Sequence, residues 1–218
     1  MPGHHRAVEV TLPEAELLAD LYGIVFDLNR AAKLCSKAVE FSKFPDRDYE
    51  LIEGLVAAAI VRYFRCFSKG VRCWLHPKDI ENLGKDLLED HDYFKALRDK
   101  YVAHSVNPFE ETFVTASASE RDGVKFPIRS VNPGHHRVML SEFEAKSLEK
   151  LVDKVTAEVG ERVKIEEQRL VAIIQSLPLD TIHSGELHSP RQLKANDVNK
   201  QRKRRSSLKK LSQVKKHP

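Results

Sequence analysis

No run of 18 or more apolar residues occurs in the chain, and the most apolar block, Leu55 to Ile60, is far too short to cross a bilayer. The opening residues, Met1 to Arg6, are not followed by an apolar stretch, so we expect no secretory signal and no membrane partner. Cysteine is scarce: Cys35, Cys66 and Cys73 are three, an odd number at separate positions. That count suits reduced thiols and a cytoplasmic protein rather than a disulfide framework. Cys66 and Cys73 lack the spacing of zinc-ligand pairs, and no matching Cys/His pair follows them, so we expect structural thiols. His4-His5 and His135-His136 have no neighbouring cysteines or carboxylates, so no metal and no cofactor is expected. Internal repeats are absent, and no aromatic residue occurs from position 179 onward.

What is present is one core's worth of chain and an uneven distribution of charge. With 218 residues, 41% of them hydrophobic, the chain can bury a single substantial core. Its net charge of +4 conceals a basic end. Residues 191–218 hold 11 of the 36 Lys and Arg against the single acid Asp197, leaving the first 190 residues at −6. We therefore expect a helical domain over residues 1–178 and a disordered basic tail over 179–218.

Hydrophobic spacing predicts four long helices. The first runs from about Pro13 to Lys43, opened by Thr11 with Glu14 as a capping box and carrying an apolar stripe from Leu17 to Val39. The second spans about Tyr49 to Lys69, with Asp48 as N-cap and Gly70 as terminator. A third begins near Asp79, with the acidic run Glu89-Asp90-His91-Asp92 expected to break it in two. Its second piece aligns Phe94, Leu97, Tyr101 and His104. The fourth starts at Ser141, with Glu144 completing a capping box, and continues until Pro178. Between the third and fourth, about residues 110–140, the runs 113–115, 124–126 and 137–139 around Arg121-Asp122-Gly123 predict a small β-hairpin excursion. The fold class expected is mainly α, an antiparallel four-helix bundle with a β-hairpin insertion before its last helix.

The stretch Arg98-Asp99-Lys100-Tyr101-Val102-Ala103-His104 carries chemistry. Arginine offers a planar fork to a phosphate, and histidine can take and give a proton near neutrality. Together they can cleave a phosphodiester without a metal. Six residues apart on a straight α-helix, Arg98 and His104 lie about 120° apart in azimuth and about 9 Å apart along the axis. One such helix cannot bring both to one phosphate.

Leu97 to Ser105 resembles the signature of the HEPN superfamily, an Arg followed by a polar residue and then, four to six positions after the Arg, a His on a late helix of a helical bundle. The wording is especially similar to the abortive-infection type, Arg62-Tyr63-Phe64-Arg65-Cys66-Phe67 on the preceding helix is a similar run, and the pattern covers about residues 14–176. The resemblance implies a homodimer in which two motif helices face one cleft, and a metal-independent endoribonuclease acting through the RNA 2′-OH. It implies a role such as a toxin or phage-defence effector, with an antitoxin or other partner protein. His104 would act as acid–base catalyst and Arg98 would stabilise the phosphorus-centred charge. Asp99, Tyr101 and Arg65 would support the cleft. A non-catalytic HEPN module that binds nucleic acid or a partner protein, and a purely structural helical dimer, are the alternatives.

Plain structural roles stand beside these. Arg98 can pair with Glu89, Asp92 or Asp99, and His104 can end the Phe94-Leu97-Tyr101 stripe or sit against a helix C-terminus. Arg62 and Arg65 can pair with Glu40, Glu53 or Asp99. In the tail, Arg202, Lys203, Arg204, Arg205, Lys209 and Lys210 form a polybasic patch suited to phosphate neutralisation, with a solubilising or partner-binding tail as the alternative. Without aromatics the patch cannot stack on bases, so it would concentrate RNA rather than select a site.

Overall fold

The computed structural model describes residues 8–10, 12–102, 112–121, 123–128, 130–135, 140–178 and 194–200. Among these the chain is mainly helical. Its α-helices are α1 (Ala15–Ser42), α2 (Tyr49–Arg65), α3 (Lys85–Leu97) and α4 (Glu142–Gln175), with a small antiparallel β element before α4. None of the helices is long and apolar enough to cross a membrane. The helix starts follow local chemistry. Asp48 Oδ1 accepts the amides of Glu50 and Leu51, each at 3.0 Å, and so caps α2. At α4, Ser141 Oγ accepts the Phe143 amide while the Glu144 carboxylate accepts the Ser141 amide at 2.8 Å, a reciprocal capping box. The expected cap of α1, Thr11, lies outside the described residues.

Two helix boundaries differ from the sequence expectation. Helix α2 ends at Arg65 rather than Lys69. The Cys66 carbonyl accepts the Leu75 amide at 2.8 Å, which turns the chain back, and Gly70 lies in the bend that follows. The acidic run Glu89 to Asp92 does not break α3, which passes through it unbroken. The interruption comes earlier, at Gly84, whose φ of 102° favours glycine, and 3-10 turns at Pro77–Asp79 and Glu81–Leu83 precede it. The acidic run stays helical because its one inward-facing member is His91, while Glu89 and Asp92 are exposed.

The chain divides into two compact units, and α1 and α4 each contribute to both. The first unit comprises Met1–Arg30, Arg65–Lys85 and Val152–Pro218. Leu17, Leu21, Ile24 and Leu28 of α1, Cys73 and Leu75, and Val155 and Val159 of α4 are buried in it. Near one edge the Tyr22 hydroxyl donates to Glu167 and Arg169 reaches the Glu14 carbonyl, so early turns of α1 lie along late turns of α4. The loop after α2 is strapped to α1. Arg72 donates to the buried Asp27 carboxylate at 2.6 Å and to the Gly23 carbonyl at 2.7 Å, and the buried Asp20 carboxylate accepts the Cys73 amide at 2.7 Å. A side chain at Gly23 would press on Arg72, since a Cβ there comes within 3.2 Å of Nη1. Buried charge survives only with such pairing.

The second unit comprises Ala31–Phe64 and Asp86–Leu151. Its core joins Cys35 and Ala38 of α1, Ile52, Val56, Ile60, Tyr63 and Phe64 of α2, Leu87 and Phe94 of α3, and Leu148 and Leu151 of α4. Each large apolar side chain buried this way contributes about 1.5–3 kcal/mol against exposure. Strands β1 (Thr112–Ala116) and β4 (Val131–His135) pair antiparallel, with Phe113 opposite Gly134, and enclose the β2 (Ser119–Arg121) and β3 (Val124–Phe126) pair. Gly123, at φ 77°, sits in the turn between β2 and β3, as the Asp-Gly signal predicts. The expected strand at 137–139 lies outside the described residues. In the C-terminal segment, Ala195–Asn199 forms a 3-10 turn in which the Asp197 carboxylate accepts the Lys194 amide at 2.9 Å and Lys200 Nζ at 2.5 Å.

Candidate active site around Arg98

Immediately after α3 the backbone widens into a single π turn, Arg98–Val102. A π turn closes hydrogen bonds from i to i+5, and such turns occur frequently at functional sites. The α-helical phase expected between Arg98 and His104 therefore does not apply across this segment, because the 100° step of an α-helix is lost within it. His104 itself lies outside the described residues.

The Arg98 side chain is 30% exposed and meets, among its neighbours, a carboxylate and an aromatic ring. Its Nε donates to Asp99 Oδ1 at 2.7 Å and its Nη2 donates to the same oxygen. Its guanidinium carbon lies 5.2 Å from the centre of the Phe64 ring, a cation–π arrangement on the end of α2. Asp99 has a second cation, Lys95 Nζ, at 3.5 Å from Oδ2, one helical turn earlier. Burial works against ionising Asp99, yet the hydrogen bond and charge of Arg98, joined by Lys95, hold its carboxyl below the ordinary value. Tyr101 donates its hydroxyl to Glu53 of α2.

Beneath this surface layer sits a buried polar pair. His91, 2% exposed, has Nδ1 3.0 Å from the Tyr63 hydroxyl. The Phe64 ring lies 5.1 Å from the His91 ring and 4.9 Å from Tyr63, edge to face in the second case. Burial lowers the His91 pKa to about 4, with Lys95 and Arg98 acting in the same direction against the opposing charge of Asp92. His91 is thus a neutral imidazole at pH 7, and the Arg98 guanidinium stands on an aromatic layer supported by it.

Of the residues expected from sequence, Arg98 and Asp99 meet here, and Tyr101 follows them on the π turn and bonds Glu53. Arg65 belongs to the other unit, where its half-exposed side chain lies 3.6 Å from Asp27, a carboxylate not among its expected partners. Arg202, Lys203, Arg204, Arg205, Lys209 and Lys210 lie outside the described residues. Phe64, Lys95, Glu53 and the Tyr63–His91 pair were not assigned to the site from sequence. A signal for two of them was present: Lys95 stands four residues before Asp99, and His91 continues the stripe of Leu87 and Phe94. Chemically, the cluster can hold an oxyanion on Arg98 and Lys95. The three cysteines are free and buried, and burial pushes the Cys66 and Cys73 thiols up to about 12, far from nucleophilic character. Among the described residues no group of three or more His, Cys, Asp and Glu is placed to hold a metal ion.

No family model, no curated protein and no solved structure matches the chain.

Proposed function

We propose that the chain is an antiparallel four-helix bundle of the HEPN type with a basic C-terminal tail, acting as a metal-independent endoribonuclease at a site shared by two copies. The observation that carries this reading is Arg98, partly exposed on a π turn and backed by Phe64, six residues before His104. A guanidinium held over a ring is oriented before ligand arrives, which suits transition-state charge stabilisation. His104 would deprotonate the ribose 2′-OH and return a proton to the leaving 5′-oxygen. The products would be a 2′,3′-cyclic phosphate and a 5′-hydroxyl, and DNA would survive because it lacks the nucleophile. A toxin or defence role, with an antitoxin as partner, and a cytoplasmic setting belong to the same proposal.

Purified protein should cut RNA in EDTA. Arg98→Ala and His104→Ala should each lower the rate, the latter by about 10²–10⁴-fold, the usual contribution of a general acid–base. Their helical circular dichroism should be unchanged. Undiminished cleavage by both variants would refute the assignment. The Arg98–Asp99 ion pair specifically favours a second reading, a non-catalytic module that holds nucleic acid, because it already occupies one edge of the guanidinium. That module would bind RNA with steep salt dependence, lose affinity when residues 191–218 are removed, and cleave nothing.

A further inference from the structure

We propose that the Asp99 carboxylate occupies an oxyanion site built by Arg98 and Lys95, and that an RNA phosphodiester binds by displacing it. This rests on the reading of Arg98 as the phosphate ligand and adds to it a second cation and an internal competitor. Asp99 Oδ1 takes Arg98 Nε at 2.7 Å while Oδ2 faces Lys95 Nζ at 3.5 Å, so the two carboxylate oxygens bridge two cations from successive turns. The two non-bridging oxygens of a phosphodiester can span the same pair of cations in the same way. Phe64 keeps the guanidinium in place while the exchange occurs, because its ring contact does not depend on which anion sits at the edge. All three charged side chains are partly exposed, so Asp99 can rotate outward into water at little cost. The exchange makes weak anions poor ligands. A single carboxylate or chloride gains little by replacing a tethered carboxylate, whereas a polyanionic strand gains its other contacts as well.

The test measures binding of the full chain to a 2′-O-methyl RNA oligonucleotide by fluorescence anisotropy. This probe cannot be cleaved through a 2′-OH, so a failure of the ribonuclease reading would show in the EDTA cleavage assay and leave this measurement intact. Asp99→Ala should tighten binding about fivefold, the size expected for losing one partly exposed charge competitor. Asp92→Ala removes the same charge from the preceding helix α3, outside the bridge, and should change affinity by less than about twofold. Lys95→Met should weaken binding, and should weaken it more in the Asp99→Ala background than in the unaltered protein, because Lys95 is then no longer shared with a tethered carboxylate. Equal tightening by Asp99→Ala and Asp92→Ala would reduce the effect to general electrostatics and overturn the proposal. So would a Lys95→Met effect that is the same in both backgrounds, since Lys95 would then contact Asp99 but not the bound phosphate.

Discussion

Lowering the pH from 7 toward 4 forces a proton onto a histidine that the fold holds neutral. The unfolded chain protonates His91 near 6.5, whereas the folded chain does so only at about 4. Between those values the unfolded state binds more protons, so acid favours unfolding, and the contribution is fully stabilising only above 6.5. At 1.36 kcal/mol per pH unit, the gap of about 2.5 units corresponds to a loss of about 3 kcal/mol across the window. With an m-value of about 2 kcal/mol/M, the urea midpoint should fall by about 1.5 M between pH 7 and pH 4 from this residue alone. Other groups titrate nearby, including Asp99, whose lowered pKa costs stability as pH falls through its folded value. Those contributions cancel in a comparison with His91→Gln, which cannot titrate. The variant should be less stable than the unaltered protein at pH 7, because it loses packing and the Tyr63 contact, and its pH profile should be flatter by about 3 kcal/mol. Urea titrations followed by circular dichroism at pH 7, 6, 5 and 4 measure both. Parallel profiles for the two proteins would refute the assignment of a buried neutral His91.

Gly23→Ala should fail to stabilise the protein, although the same change at an open helical site adds about 1 kcal/mol. Its Cβ would press on Arg72 Nη1 and disturb the bond to the Gly23 carbonyl, so a raised melting temperature would contradict the strap geometry. Asp27→Ala strands Arg72 against α1 and should cost about 3–5 kcal/mol, read as a lowered thermal midpoint. A loss below about 1 kcal/mol would place Arg72 in water rather than on α1. The three thiols should resist iodoacetamide at pH 8 in the native chain and react in urea; rapid native alkylation of Cys66 or Cys73 would contradict their burial.

Much of the helical framework was legible in sequence because its signals are local. Asp48 and the Ser141–Glu144 box act over three residues, and the stripes of α1 and α4 repeat at helical spacing. The misplaced boundaries have non-local causes. Helix α2 stops early because Cys66 is claimed by Leu75, and Arg72 finds Asp27 at a separation of 45 residues that no periodicity announces. The acidic run in α3 looked like a breaker because charge was read without phase. Its histidine faces inward and pairs with Tyr63 of α2. At the site, Arg98 and Asp99 were identifiable by residue type, and Asp99 proved to be the ion-pair partner. Phe64 was visible only as an apolar residue, since its contact with the guanidinium depends on how α2 and the π turn meet.

The widened turn at Arg98–Val102 also bears on how this segment tolerates change in length. A π turn is an α turn with one residue added, so deleting any one of the five residues would let the helix close normally. Such a deletion would restore the α-helical ladder and leave the following segment close to its present azimuth, because five residues of a π turn and four of an α turn each complete about one turn. A one-residue deletion at Lys100 should therefore keep the helical circular dichroism, whereas deletion of Arg98 or Asp99 removes the ion pair itself.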